Sequence, residues 1–242
     1  MAIVGGGRLG GALACALQDA GAQVQGPLGR GASPAGVDAV LLCVPDCEIA
    51  SAAALIPDGE TVGHCSGATG LEAIGRPQAF SVHPLMTIAG APLAPAPGAP
   101  NPFAGAAAAV AGSTPAALAL AERLARLLGM RPLAVAEADR AAYHAAASIA
   151  SNFLVALEAA AERLAATAGV RRCELAPLVR ATVENWEQLG PERALTGPIA
   201  RGDLQTVARQ RAAVSERAPD LLAMFDAMVK ATAALAAAGA PR

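Results

Sequence analysis

The chain has 242 residues, enough for one or two domains with cores of their own. Its formal net charge of -2 offers nothing to nucleic acid or to an anionic membrane surface, so neither is expected as a partner. Five cysteines, an odd number with no C-x-x-C spacing, read as reduced and mostly buried thiols of a cytoplasmic protein.

In chain order, Ala2–Val4 reads as a strand leading into a glycine loop, so no signal peptide is read at this end. Leu9–Ala20 carries Leu9, Leu13 and Leu17 on one helical face and is closed by Gly21. Ala22–Gln25 is expected as the second strand. Ala39–Val44 is a continuous apolar run, the mark of a strand covered on both faces. Glu48–Leu55 reads as a short helix, and Thr61–His64 and Phe80–His83 as strands. Ile88–Pro102, rich in Pro, Ala and Gly, is expected to be an irregular surface loop. Ala106–Ala111 is a strand, Pro115–Leu128 a helix stopped by Gly129, and Arg131–Val135 the last strand.

Beyond that point only helical patterns remain. One is expected from Asp139 to about Ala168, and others over Glu174–Leu189, Leu204–Ala218 and Asp220–Ala238, with Gly190–Asp203 as a loop. The uncharged run Ala141–Leu157 falls short of a membrane span and contains His144, Ser148, Ser151 and Asn152, so a buried helix is expected. The alternation of strand and helix followed by helices alone predicts an α/β domain with a mostly parallel sheet over residues 1–137. An all-α domain over residues 138–242 is expected to follow.

Gly5-Gly6-Gly7-Arg8-Leu9-Gly10 fits G-x-G-x-x-G, placed after a strand and at the start of a helix, the context in which that spacing has a mechanism. Gly5 permits the tight turn, Gly7 lets the backbone approach a diphosphate, and Gly10 lets helix and strand pack closely. The free N–H groups and positive dipole end of the helix then face the phosphates. A glycine-rich turn in some other α/β protein is the alternative.

An NAD site usually has an acid at the end of the second strand, for the ribose 2′-hydroxyl. Residues 24–30 contain neither Asp nor Glu, while Arg30 could meet a 2′-phosphate and Arg8 could assist. NADP is therefore expected ahead of NAD, with Arg30 as a plain solvated charge the competing reading. Val44-Pro45 should lie near the nicotinamide ribose, with Asp46 either there or capping the next helix. Ser66, after a strand at the same sheet edge, joins the cofactor candidates. His64, Cys65 and His83 lie near that edge without an assigned role.

His144, Ser148 and Asn152 are spaced i, i+4, i+8 and so share one face of a regular helix. Polar groups on an apolar helix need partners. One reading turns this stripe toward the nicotinamide, with His144 as proton donor; the other makes His144 a satisfied core histidine.

Gly5–Gly10, Val44–Asp46, His64–Gly67, Ser81–Leu85, Tyr143–Ala147, Ser151–Phe153 and Ala194–Asp203 together resemble the Rossmann-like proteins that carry domain of unknown function 2520. That family is similar in plan to pyrroline-5-carboxylate reductase, ketopantoate reductase and the β-hydroxyacid dehydrogenases. The resemblance implies a Rossmann domain, a helical domain that often dimerises, and a nicotinamide cofactor. Two departures stand out. Phe225 replaces the family's usual Tyr in the last helix. Ser148 stands where the ketone-reducing relatives carry a lysine ahead of Asn152, and the chain's one lysine is Lys230. A lysine-assisted ketone reduction is not expected, whereas a pyrroline-carboxylate-type imine site needs no lysine.

In the loop Ala194–Asp203, Asp203 reads as the cap of the next helix, in which Arg201 could pair with it. Alternatively Thr196 and Arg201 anchor a substrate carboxylate. The expectation is an NADP-dependent oxidoreductase acting on a small carbonyl or imine substrate, assembled as a homodimer through its helical domain. Its catalytic candidates are His144, Ser148, Asn152, Thr196 and Arg201. A non-catalytic NADP(H) sensor is the alternative.

Overall fold

A computed structural model describes residues 1–90 and 100–239. Residues 91–99 of the expected 88–102 loop lie outside the described residues. The chain divides into two compact units, Met1–Ser151 and Asn152–Arg242. The helix that begins at Arg140 thus groups, up to Ser151, with the strands that precede it.

The first unit is built on a seven-stranded sheet: β1 (Ala2–Val4), β2 (Gln25–Leu28), β3 (Ala39–Leu42), β4 (Thr61–His64), β5 (Ala79–Pro84), β6 (Ala107–Gly112) and β7 (Arg131–Ala134). The spatial order is β2-β1-β3-β4-β5-β6-β7. The first five run parallel; β6 pairs antiparallel with β5, and β7 runs parallel to β6. Chain reversal at the β1/β2/β3 crossover is the arrangement in which ligands bind beyond the carboxyl ends of the strands.

Alternation of side chains along the strands divides the core in two. Ile3 and Leu41 face Leu13 and Leu17 of α1 (Arg8–Asp19) and Ala117, Ala121 and Leu124 of α3 (Pro115–Leu127). Ala2, Val4, Val40 and Leu42 face Ile49, Ala52 and Ala53 of α2 (Ile49–Ala54). Burying Leu13 and Leu17 of α1 contributes about 1.5–3 kcal/mol each. Thr114 caps α3 by accepting from the Ala117 N–H, with Pro115 at the first helical position.

The second strand differs from the expectation. It spans Gln25–Leu28, not Ala22–Gln25, with Gln25 opposite Ala2 and Leu28 opposite Val4. Pro27 lacks an N–H, and β2 tolerates it because it is an edge strand with one unpaired side. The shift places Arg30 two residues past the strand end.

The long apolar helix also departs from expectation. It comprises α4 (Arg140–Ser148), a π-helical segment Ile149–Phe153, and α5 (Leu154–Ala166). It is not buried in the single chain: Ile149, Phe153 and Val155 are 60%, 57% and 68% exposed. With the turn before it, the run Glu137–Ala166 is long and apolar enough to cross a membrane, by length and composition alone, and so is Pro219–Ala238.

In the second unit, α5 is followed by α6 (Arg172–Leu189), α7 (Pro191–Ala194), α8 (Gly197–Ala200), α9 (Leu204–Arg217) and α10 (Leu222–Ala238). No strand follows β7 among the described residues. The expected loop 190–203 contains the two short helices α7 and α8, each with proline in its first turn.

Candidate functional site

The carboxyl ends of β1, β3, β4 and β5 gather three groups of residues. The first is the glycine loop. Gly5 has φ +114, a conformation that favours glycine, and its N–H donates to the Leu28 carbonyl at 2.9 Å. A Cβ on Gly10 would lie 1.9 Å from the Gly5 carbonyl oxygen, so only glycine lets α1 start this close to β1. Gly6 and Gly7, by contrast, border open space: a Cβ on either meets nothing within 4 Å. Gly7 caps α1 with no side-chain hydrogen bond, and the first turn holds no acidic residue. The helix mouth therefore presents uncapped N–H groups and a positive dipole end, a cradle that fits a diphosphate. Arg8 is the first helical residue and is exposed, and Leu9 packs partly against the core.

Arg30 is not a free charge. Its Nη1 lies 2.6 Å from Oε1 of Glu48, which ends the 3-10 turn Asp46–Glu48 after β3. Val44 packs partly against the core, and Pro45 is exposed.

The second group ties β3 to β4. Asp46 does not cap a helix; its carboxylate accepts from the Ser66 hydroxyl at 2.7 Å and the Thr69 hydroxyl at 3.0 Å. Ser66 Oγ in turn accepts from the Ala68 and Thr69 N–H groups. His64 is fully buried; its Nε2 donates to the Gly70 carbonyl, and its Nδ1 accepts from the Ser66 N–H. Burial pushes its pKa down, and Nδ1 could take a proton only by giving up the Ser66 N–H. His64 is a neutral, structural histidine. Cys65 and Cys43 place their sulfurs 3.7 Å apart, and this contact, together with burial, pushes the Cys65 thiol well up, out of the reactive range.

The third group joins β5 to α4. Arg140 is 4% exposed and donates to Glu137, to the Thr69 carbonyl and to Ser81 Oγ. Beside it, Tyr143 Oη and His83 Nδ1 share a hydrogen bond of 2.8 Å. Burial, then the positive potential of His144 and Arg140, lowers the His83 pKa to about 4. Burial also raises that of Tyr143. A Cβ on Gly67 would enter the His83 ring, so the loop after β4 closes directly over the imidazole. Both groups are therefore neutral near pH 7, and their hydrogen bond fixes the phenol hydroxyl against the imidazole.

Sequence reasoning assigned neither Tyr143 nor His83 a role of its own and so missed them as a working pair. They are 60 residues apart, and no local spacing signals that they meet. His144 is exposed, with its ring centroid 6.0 Å from that of His83. His144 and Ser148 share a face of α4. Asn152 lies inside the π-helical segment, where the four-residue period behind the i, i+4, i+8 stripe no longer holds.

Asn152, Thr196 and Arg201 belong to the second unit. Thr196 precedes α8 without capping it through its side chain, and Arg201 is exposed. Asp203 caps α9 by accepting from the Thr206 N–H at 3.0 Å, a bond that holds its carboxyl below the usual range. It makes no ion pair with Arg201 among the described residues. Phe225 lines an apolar cavity of about 470 Å³ with Leu164 and Val214.

The family described as Domain of unknown function (DUF2520) matches residues 106–232, just over half the chain. The chain belongs to the DUF2520 family. No curated protein matches it. Among solved structures, it is similar to a protein of Bacteroides fragilis provisionally assigned as an NADP oxidoreductase. That pair has TM-score 0.80 at 18% identity, covering 96% of each chain. A pyrroline carboxylate reductase of Plasmodium falciparum with NADP bound gives TM-score 0.59 at 10% identity, over 97% of this chain and 98% of the other. A reductive aminase of Aspergillus terreus in complex with NADPH and ethyl levulinate gives 0.63 at 18%, over 95% and 91%. These likenesses establish for the DUF2520 chain the expected fold, a Rossmann unit followed by helices.

Proposed function

We propose that the chain is an NADP(H)-dependent reductase of a small carbonyl or imine compound. The observation that carries this reading is the uncapped mouth of α1, held against β1 by the Gly10–Gly5 approach and left open at Gly6 and Gly7. The names of the similar structures, a pyrroline carboxylate reductase and a reductive aminase, favour an imine. The absence of a lysine from the Ser148 position favours it too.

Gly5, Gly7, Arg8, Leu9 and Gly10 would hold the diphosphate, Arg30 the adenine-side ribose, and Val44, Pro45 and Ser66 the edge beside the nicotinamide. When bound, the cofactor supplies a hydride. The chain's own task is then to position the substrate and deliver a proton. Tyr143 is the better-held proton donor, because His83 fixes its hydroxyl, whereas His144 makes no side-chain hydrogen bond among the described residues. His144 remains the second candidate. Ser148 and Asn152 would orient the substrate, and Thr196 and Arg201 would anchor a substrate carboxylate. The protein is proposed to be cytoplasmic and to work as a homodimer.

One observation favours a binding-only role instead: Asp46, Ser66, Thr69 and His64 are bonded to one another and to backbone. Oxidation of NADPH with a panel of cyclic imines and 2-oxo acids separates the two readings. A reductase consumes NADPH with at least one of them, and Tyr143→Phe lowers kcat at least 100-fold, on the order of a lost general acid, while NADPH affinity is kept. Tight NADPH binding with no turnover across the panel supports the sensor.

A further inference from the structure

We infer that Glu48 sets the cofactor preference of this site, as a carboxylate counterweight to Arg30. The inference rests on the dinucleotide reading above and deepens it. In the sheet order β2-β1-β3, the ends of β2 and β3 flank β1 and its glycine loop. Arg30 follows β2, and Glu48 ends the turn after β3. These two strands are not neighbours, yet the guanidinium and carboxylate meet at 2.6 Å. The ion pair therefore bridges the carboxyl end of β1, where the glycine loop opens.

A ribose bound at the end of β2 meets both charges. Its 2′-hydroxyl, present in NAD(H), can donate to the Glu48 carboxylate. Its 2′-phosphate, present in NADP(H), accepts from Arg30 but competes with Glu48 for the guanidinium and is repelled by it. Residues 24–30 hold no acid, so Glu48 supplies from the β3 side the carboxylate that the β2 end lacks. The consequence is a site that takes both cofactors and favours NADP(H) only modestly. Glu48 narrows the gap.

Calorimetric titration of the full chain with NADPH and with NADH, at low and high salt, tests this on wild type, Glu48→Gln and Arg30→Ala. An exposed ion pair contributes little to stability, so both variants are expected to stay folded. Glu48→Gln should tighten NADPH roughly three- to tenfold relative to NADH, an effect that shrinks as salt screens the charges. Arg30→Ala should reverse the preference. An unchanged NADPH-to-NADH ratio in Glu48→Gln, with both cofactors bound, overturns the role of Glu48 and leaves the dinucleotide site standing. Failure of wild type to bind either one overturns both.

Discussion

Gly7 and Gly10 of the glycine loop have separable roles, which a single added methyl group at each tells apart. In Gly10→Ala the new Cβ would sit 1.9 Å from the Gly5 oxygen, 3.1 Å from its carbonyl carbon and 3.2 Å from Cys43 Cβ. Real Cβ contacts stay beyond 3.0 Å, so α1 must retreat from β1 by at least about 1.1 Å. The obstacle is backbone, which cannot swing aside as a side chain does, and the retreat loosens Leu13 and Leu17 from the core. The cost falls at the upper end of overpacking, about 3 kcal/mol. At about 2–4 °C per kcal/mol for a chain of this size, Tm should fall by about 6–12 °C. Gly7→Ala is the counterpart. Gly7 has φ -72 and ψ -177, open to any residue, and its Cβ meets nothing. Tm should fall by less than about 4 °C, the modest effect of alanine at an N-cap. NADPH affinity should nevertheless drop at least tenfold, on the order of 1.4 kcal/mol, because the methyl stands where a diphosphate must approach. Thermal melts and calorimetry read the two effects. A Gly10→Ala protein that melts like wild type refutes the packing argument. A Gly7→Ala protein that binds NADPH as wild type does refutes the placement of the diphosphate.

Two further outcomes are expected. His83, held near 4 in the folded protein against about 6.5 unfolded, should make stability depend on pH. As pH falls from about 6.5 toward 4, the unfolded chain takes up a proton that the folded one refuses, so this contribution, at most about 3 kcal/mol, is progressively lost. His64 acts in the same direction. Urea denaturation at pH 7 and pH 5 should show the loss, and His83→Gln should reduce it; a slope unchanged by that substitution contradicts the assignment. Second, Phe153, Val155, Leu178 and Trp186 are exposed in the single chain, and a second copy of the chain is proposed to cover them. Sedimentation at micromolar concentration should give about twice 23.9 kDa, and a monomer mass would contradict it.

Much of the architecture was legible because it rests on local patterns. The strand Ala39–Leu42 needed only its continuous apolar run, and α3 its Thr114-Pro115 start and Gly129 stop. The glycine loop was legible for a related reason: spacing along six residues encodes a turn whose geometry is local. The second strand was misplaced because Gly26-Pro27 reads as a break, and only its position at the sheet edge makes proline tolerable there. The polar stripe was read on an unbroken α-helical period, and the π-helical segment interrupts that period without a composition signal.

The sequence by itself thus determined the order of elements, the parallel unit followed by helices, and the cradle at the first helix, since each depends on neighbours along the chain. Tertiary structure alone decided which distant groups meet. It brought Tyr143 to His83, buried Arg140 against Ser81, and drew Arg30 across β1 to Glu48. Those pairings follow from strand order and from the direction each strand end faces, which residues 18 to 60 positions apart do not encode locally.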